Sequence, residues 1–131
     1  MVIDTSALVT ILMGEPEAAR MIRAVANDRA RLIGAPTLVE AAAVMLSRKG
    51  GGGEIALDAL LHRLGIDTLA MSEDAARLAR LGYARFGRGV GSPGVLNYGD
   101  CLAYGVAMAA GQPLLFKGQD FARTDVGVVS Y

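Results

Sequence analysis

The chain begins with MVIDTSALVTIL (residues 1–12), where a short apolar run meets a helical pattern at an aspartate. The run MVID has the composition of a very short strand. After it, Ala7, Leu8 and Ile11 recur at the spacing of one helix face. Asp4 is therefore predicted to lie at the C-terminal end of a strand, directly before a helix.

The same alternation of strand and helix continues along the chain. KGGGGE (residues 49–54) is interpreted as a flexible turn and not as a domain linker, because neither flank is long enough to fold easily alone. Strands alternating with helices predict an α/β fold, a three-layer α/β/α sandwich with a central parallel sheet. The predicted elements after residue 12 are helix 16–27, strand 30–36, helix 37–48, turn 49–54, helix 55–64, strand 66–71, a helix capped by Ser72 that runs to Tyr83, a glycine-rich loop 85–99, helix 99–110, and strands 113–116 and 126–131.

Length and composition predict one domain over residues 1–131, built around one core. Hydrophobic residues make up 53% of the chain and charged residues 20%, which is typical of a globular protein. No apolar run approaches the roughly 20 residues that cross a bilayer, and the N-terminus lacks the basic flank of a secretory signal. We therefore expect no membrane partner and a cytoplasmic location.

The cysteine, histidine and charge counts restrict the chemistry of any site. With one Cys and one His, the chain cannot supply a zinc site made of thiolates and imidazoles, so any metal must be bound by oxygen. The formal net charge is zero, which excludes a general electrostatic attraction to nucleic acid. Most of the cations are arginines, whose planar fork suits phosphate, so local basic patches remain open.

Four acidic residues are predicted to share one edge of the sheet. Asp4 ends a strand, Glu40 lies near the start of a helix, Asp100 begins another helix, and Asp120 follows the strand PLLF. Ligands of open parallel sheets bind beyond the C-terminal strand ends. Carboxylates gathered there repel one another unless a cation neutralises them, and oxygen ligands suit Mg²⁺ or Mn²⁺. Such an ion activates water against a phosphodiester, which is nuclease chemistry.

Each acid also has a structural explanation. Asp4 can cap the helix that follows it. Glu40 lies three residues after Thr37, the spacing of a capping box. Asp100 in a first helical turn stabilises its helix through the macrodipole, by about 0.5 kcal/mol. Three independent caps need not lie on one edge whereas a metal site must, so their joint position favours the metal site.

Other polar residues near the predicted edge are candidates for substrate contacts. Thr5 and Ser6 are either phosphate or water ligands at a helix start or ordinary first-turn residues. The glycine-rich loop is either a phosphate-gripping element or a plain surface loop. Tyr98 is either a residue that stacks on an unpaired RNA base or, as we expect, a core residue. Cys101 is predicted to be a small core residue and not a nucleophile. The candidate substrate-binding residues are Ser6, Arg85, Arg88, Asn97 and Lys117.

Four blocks of the sequence resemble one family. They are VIDTSAL (2–8), APTLVEAA (35–42), LNYGDCLAYGVA (96–107) and PLLFKGQDFARTDV (113–126). In their order and spacing they resemble the PIN-domain ribonucleases, and in particular the VapC toxins of bacterial toxin–antitoxin pairs.

The resemblance implies an α/β/α sandwich and a Mg²⁺-dependent endoribonuclease, with Mn²⁺ as the alternative ion, that cleaves structured RNA such as tRNA or rRNA. It also implies a homodimer and inhibition by a VapB-type antitoxin. Asp4, Glu40 and Asp100 match the acidic positions of the family. Asp120 is either a fourth ligand, an outer residue or a loop residue, because members often carry that acid earlier, where this chain has Lys117 and Gly118.

In the mechanism that follows, Asp4 and Asp100 hold the metal, while Glu40 orients or deprotonates water or helps to carry a second ion. Two other functions stay open. One is a non-catalytic RNA- or antitoxin-binding module. The other is aspartyl phosphotransfer, which Asp4 and Lys117 suggest superficially, although the second acidic residue that such enzymes need is absent from VIDTS.

Overall fold

The computed structural model describes all 131 residues and contains short strands between longer helices. Its elements are β1 (Val2–Ile3), α1 (Thr5–Leu12), α2 (Ala18–Asn27), β2 (Leu32–Gly34), α3 (Ala35–Lys49), α4 (Gly51–Leu64), β3 (Asp67–Leu69), α5 (Glu73–Phe86), α6 (Tyr98–Ala110), β4 (Leu114–Leu115) and a 3₁₀ turn (Phe121–Arg123). No helix has the combination of length and apolar composition that a bilayer crossing needs.

The four strands form one parallel sheet in the order β3-β2-β1-β4. Successive residues of a strand face opposite sides of a sheet. Ile3 and Leu115 accordingly pack into a core with residues of α1 to α4. Val2 and Leu114 pack into a second core with residues of α5 and α6. The predicted parallel sheet between two helical layers is thereby confirmed.

The glycine run at residues 49–54 is not a flexible turn, and this prediction is wrong. Gly50, with a φ of +61°, makes the whole connection, and α4 begins at Gly51. A Cβ atom at Gly53 would lie 2.4 Å from the carbonyl oxygen of Met45. Gly53 therefore lets the backbones of α3 and α4 approach closely, a role that turn statistics do not reveal.

The start of α3 also differs from the prediction. Pro36 was expected to end the preceding strand, but it lies in the first turn of α3, where the missing N–H costs no hydrogen bond. Gly34 is the N-cap and Thr37 is already inside the helix. The capping box of Thr37 and Glu40 is therefore wrong. Likewise α2 begins at Ala18, after a turn that contains Pro16.

The predicted last strand, residues 126–131, is wrong as an extended element. Only Val128 forms a parallel bridge, to Leu114. Val126 packs in the core of α5 and α6, whereas Val129 and Tyr131 pack beside the opposite core. The segment therefore adds one bridge to the outer edge of β4 and does not form a fifth strand.

The packing of α5 on α6 depends on Gly105. A Cβ atom there would lie 2.4 Å from the carbonyl oxygen of Ala75 and 2.7 Å from the Cβ of Ala79. We expect Gly105→Ala to lower the free energy of unfolding by about 1–3 kcal/mol in denaturant titrations, because overpacking forces the helices apart. The control is Gly52→Ala, where a Cβ meets nothing within 4 Å. Equal stability of the two variants would contradict this packing.

Candidate active site

The chain reverses direction across the sheet between β1 and β4. From β1 it builds β2 and β3 on one side and then returns to add β4 on the other. In such sheets the crevice outside the C-terminal strand ends at this reversal is where ligands bind. Asp4 follows β1 directly and Lys117 lies just beyond β4.

Asp4 is fixed at this crevice by Ser6. The amide and the hydroxyl of Ser6 both donate to Oδ2 of Asp4, at 2.9 and 2.6 Å, and the amide of Lys117 donates to the Ser6 hydroxyl at 2.9 Å. Asp4 is thus the N-cap of α1, as the structural alternative predicted. Both bonds end on one oxygen, so capping leaves Oδ1 available to a further ligand. Burial raises the pKa of Asp4 despite the Ser6 hydrogen bonds, and the Glu40 carboxylate raises it further.

Glu40 is an exposed residue of α3 whose side chain crosses to α1 and α6. Its Oε2 accepts a hydrogen bond from the Thr5 hydroxyl at 2.7 Å. Its carboxylate also lies against Gly99, where a Cβ atom would be 2.7 Å from Oε1. Glu40 is therefore placed beside the residues that precede Asp100 and follow Asp4.

Asp100 forms a capping box with Asn97, whereas the sequence indicated one for Thr37 and Glu40. The amide of Asn97 donates to Oδ2 of Asp100 at 2.7 Å, and the amide of Asp100 donates to Oδ1 of Asn97 at 2.8 Å. Burial raises the pKa of Asp100 to about 6 against the Asn97 hydrogen bond, and the carboxylates of Asp4 and Asp120 add to the rise. Asp4 and Asp120 therefore lie close enough to Asp100 for their charges to act on it.

Arg85 lies in the last turn of α5 and not in the glycine-rich loop as predicted, and it and Arg88 of that loop pair with acids from the segment after β4. Arg88 lies 3.3 Å from Asp120, and Arg85 lies 2.6 Å from Asp125, which also accepts a hydrogen bond from the hydroxyl of Tyr104. All four paired side chains are between 41% and 57% exposed. Exposed pairs of this kind contribute at most about 1 kcal/mol each, so they can be exchanged for other partners.

A family model described as the PIN domain matches residues 1–127. The chain belongs to the PIN domain family. It is 48% identical to Ribonuclease VapC30 of Mycobacterium tuberculosis over 130 residues, which cover 99% of this chain and 98% of that protein. It is 49% identical to Ribonuclease VapC of Mycolicibacterium smegmatis, with 98% and 99% of the two chains covered.

Solved structures agree on the fold of this PIN domain. VapC20 of Mycobacterium tuberculosis, described as a sarcin-ricin loop cleaving toxin, superposes with a TM-score of 0.77 at 16% identity, covering 99% of this chain and 98% of that one. A toxin–antitoxin complex from Klebsiella pneumoniae gives 0.74 at 22% identity, with 98% and 95% covered. The resemblance seen in the sequence blocks, to VapC-type PIN domains, is confirmed.

The acids of this PIN domain suit a divalent metal, on which nucleases of the family generally depend. Asp4, Glu40 and Asp100 offer only oxygen donors, which hard divalent cations prefer. No three acidic, histidine or cysteine side chains are already arranged as a metal centre, and each of these acids accepts a hydrogen bond from the protein. The donors therefore fit the ion in kind, and ligation requires at least one carboxylate to turn.

Lys117 does not approach the acids of the crevice. Its ammonium forms ion pairs with Glu15 and, at 3.2 Å, with Glu17, both in the turn between α1 and α2 of the PIN domain. These hydrogen bonds raise the pKa of Lys117 and lower that of Glu15, while the pKa of Glu17 is lowered first by a hydrogen bond to its own backbone and then by Lys117. A role for Lys117 in binding substrate stays a prediction. No motif in the sequence indicated these partners, which come from residues about 100 positions away.

Tyr98 and Cys101, on either side of Gly99 and Asp100, differ in burial. Tyr98 was expected in the core, but it is 75% exposed, because the first residue of α6 points away from the sheet of the PIN domain. Cys101 is 3% exposed, and burial raises the pKa of its thiol to about 11. The prediction that Cys101 is a small core residue is confirmed by its burial, and the prediction that it is not a nucleophile stays a prediction.

Proposed function

We propose that this chain is a divalent-metal-dependent endoribonuclease that acts as the toxin of a toxin–antitoxin pair. The observation that carries the proposal lies at the switch point of a PIN domain, where the charge of Glu40 acts on Asp4 and the charge of Asp4 acts on Asp100. The identity of nearly half the residues to proteins named VapC ribonucleases, over almost the whole length, supports the same activity.

Asp4 and Asp100 are the proposed ligands of a Mg²⁺ ion, with Mn²⁺ as the alternative. When bound, such an ion lowers the pKa of a water ligand and neutralises the charge on the attacked phosphate. Ser6 holds Asp4 in place, and the capping box with Asn97 holds Asp100. Glu40 orients the attacking water or takes its proton, and Asp120 adds negative charge at the edge of the site.

Arg85 and Arg88 are the proposed contacts to the RNA backbone. Their partners Asp125 and Asp120 are exposed, so a phosphate can replace either carboxylate at little cost. Ser6, Asn97 and Lys117 remain proposed substrate contacts, although each side chain already bonds within the protein. The proposed substrates are structured RNAs, tRNA or rRNA.

The proposed partners are a VapB-type antitoxin and a second copy of the chain. Two of the structural neighbours are toxin–antitoxin assemblies, from Klebsiella pneumoniae and Rickettsia felis, which supports an antitoxin for this chain as well. We infer that residues 1–131 form a single domain, because both cores pack against one sheet. A toxin acting on cellular RNA would work in the cytoplasm.

The test is cleavage of total RNA by the purified chain freed of antitoxin. We expect new RNA ends in Mg²⁺ or Mn²⁺, none in EDTA, and inhibition when the antitoxin is added. RNA that is bound but left uncut in either metal would favour the non-catalytic module. Trapping of an acyl phosphate on Asp4 by a small phosphodonor, with no RNA cut, would favour phosphotransfer. Sequencing the new ends would identify the RNA and the bond.

A further inference from the structure

Glu40 differs from the other two acids in how it is held. Asp4 and Asp100 are fixed by capping bonds from residues on their own helices. Glu40 is exposed on α3. Holding a long exposed side chain in one rotamer costs conformational entropy, and contacts of that side chain must offset this cost. Its position therefore has to come from contacts outside α3.

The structure gives Glu40 two such contacts, one from each neighbouring helix of the site. The hydroxyl of Thr5 donates a hydrogen bond to Oε2 of Glu40 at 2.7 Å. The same hydroxyl lies 3.4 Å from the carbonyl oxygen of Thr37. A hydroxyl has a single proton, so the shorter and charge-assisted bond to Glu40 takes it. Thr5 thus ties the carboxylate to the residue next to Asp4.

Gly99 provides the second contact by having no side chain. A Cβ atom at this position would lie 2.7 Å from Oε1, 3.2 Å from Oε2 and 3.1 Å from the carboxyl carbon of Glu40. Gly99 is in the first turn of α6, directly before Asp100. The carboxylate therefore occupies the space that any other residue at position 99 would fill.

We propose that Thr5 and Gly99 are positioning residues that seat the Glu40 carboxylate between Asp4 and Asp100. This inference rests on the proposed function, in which Glu40 acts on the attacking water. Thr5 fixes the carboxylate by donating a hydrogen bond, and Gly99 by leaving room for it. Displacement of such a group by about 1 Å is enough to slow a reaction on the order of 100-fold.

The two positions can be changed without threatening the fold. Valine has nearly the shape of threonine, and Thr5 is only partly buried. Alanine is a better helix former than glycine by about 1 kcal/mol, and the atoms it would meet at position 99 belong to the end of the flexible Glu40 side chain. Both variants should therefore melt close to the wild type while the carboxylate is displaced.

The experiment measures RNA cleavage and, separately, the carboxyl ¹³C NMR signal of Glu40 in metal-free protein, assigned by its loss in Glu40→Gln. We expect Thr5→Val and Gly99→Ala to lower kcat on the order of 10- to 100-fold at unchanged KM and to shift the Glu40 signal. Thr5→Ser, which keeps the hydroxyl, and Gly52→Ala, in an open helical turn, should match the wild type. In a Glu40→Gln background Thr5→Val should cost no further activity.

Unchanged cleavage in both Thr5→Val and Gly99→Ala would overturn the proposed positioning of Glu40. A further loss of activity when Thr5→Val is added to Glu40→Gln would do the same. If the wild type cuts no RNA, the proposed function fails but the NMR measurement still decides on the seat. A Glu40 signal that moves in Thr5→Val and Gly99→Ala but not in Gly52→Ala supports it, and a signal that stays in place refutes it.

Discussion

Asp100→Asn is expected to lower RNA cleavage about 100- to 1,000-fold, the usual cost of losing one group that stabilises transition-state charge. Asparagine keeps the shape of the side chain and an oxygen that can accept the amide of Asn97, so the start of α6 should persist. It removes the negative charge that the metal needs. Initial rates of cleavage of one RNA under metal saturation would measure the loss.

The matched control for this variant is Asp58→Asn, an exposed position on α4 in the helical layer of α1 to α4. It changes the same charge by the same chemistry and should cut RNA at the wild-type rate. If Asp58→Asn and Asp100→Asn lost activity equally, the effect would come from net charge and not from the crevice.

The second large effect is a fall in the stability of the metal-free protein as the pH rises from about 4 to about 7. Burial raises the pKa of Asp100 from its ordinary value of 3.8 to about 6, so the folded state binds this proton more tightly than the unfolded chain does. The stabilisation is complete below about pH 4 and is lost as the pH rises through 6. Asp4 shifts in the same direction.

A shift of this size corresponds to about 1–2 kcal/mol once solvent screening of the partly exposed carboxyl is allowed for. The depressed pKa values of Glu15, Glu17, Asp28 and Asp125 act with the opposite sign, but their contribution is nearly complete above about pH 5. Denaturant titrations in EDTA between pH 5 and 7.5 therefore isolate the crevice. Asp100→Asn should flatten the profile and be more stable than the wild type at pH 7.5. A wild-type profile that rises across this interval would refute the account.

Both predictions have the same cause, because the close carboxylates that lower stability are also the groups that activity requires. Carboxylates packed close together without a cation destabilise the fold, and the same packing creates the charge that attracts a divalent ion. Adding Mg²⁺ at 100 times its Kd should stabilise the wild type by about 2.7 kcal/mol, because the ion binds only the folded state. Asp100→Asn should gain much less.

Local sequence patterns predicted the elements whose causes are local. The apolar spacing around Leu8 gave α1, Ser72 gave the start of α5, and Gly111 gave the end of α6. The position of Asp4 after β1 followed from the same reasoning. Because parallel strands place their C-terminal ends together, the common edge of the acids could also be predicted.

The errors have causes that act across the chain. The motif of Thr37 and Glu40 matched a capping box, but Pro36 fits a first turn, so α3 starts earlier and Glu40 is free to reach Thr5. Gly53 in the first turn of α4 allows a close helix contact that no turn rule contains. Such features depend on which helices become neighbours, which the order of elements does not specify.

The partners of the charged loops were equally beyond local patterns. Lys117 pairs with Glu15, and Arg88 with Asp120, although these residues are far apart in the sequence. The contacts that position Glu40 also join distant parts of the sequence, because Thr5 and Gly99 reach Glu40 only after α1, α3 and α6 have packed. Sequence reasoning noted the hydroxyl of Thr5 but could not assign its partner.

The most direct test of the central claim is a crystal structure of the chain soaked in Mn²⁺, with the ion located by its anomalous scattering. The account predicts a Mn²⁺ ion bonded at about 2.1 Å to carboxylate oxygens of both Asp4 and Asp100, with Glu40 beside it. An ion bound elsewhere in protein that still cleaves RNA would contradict it.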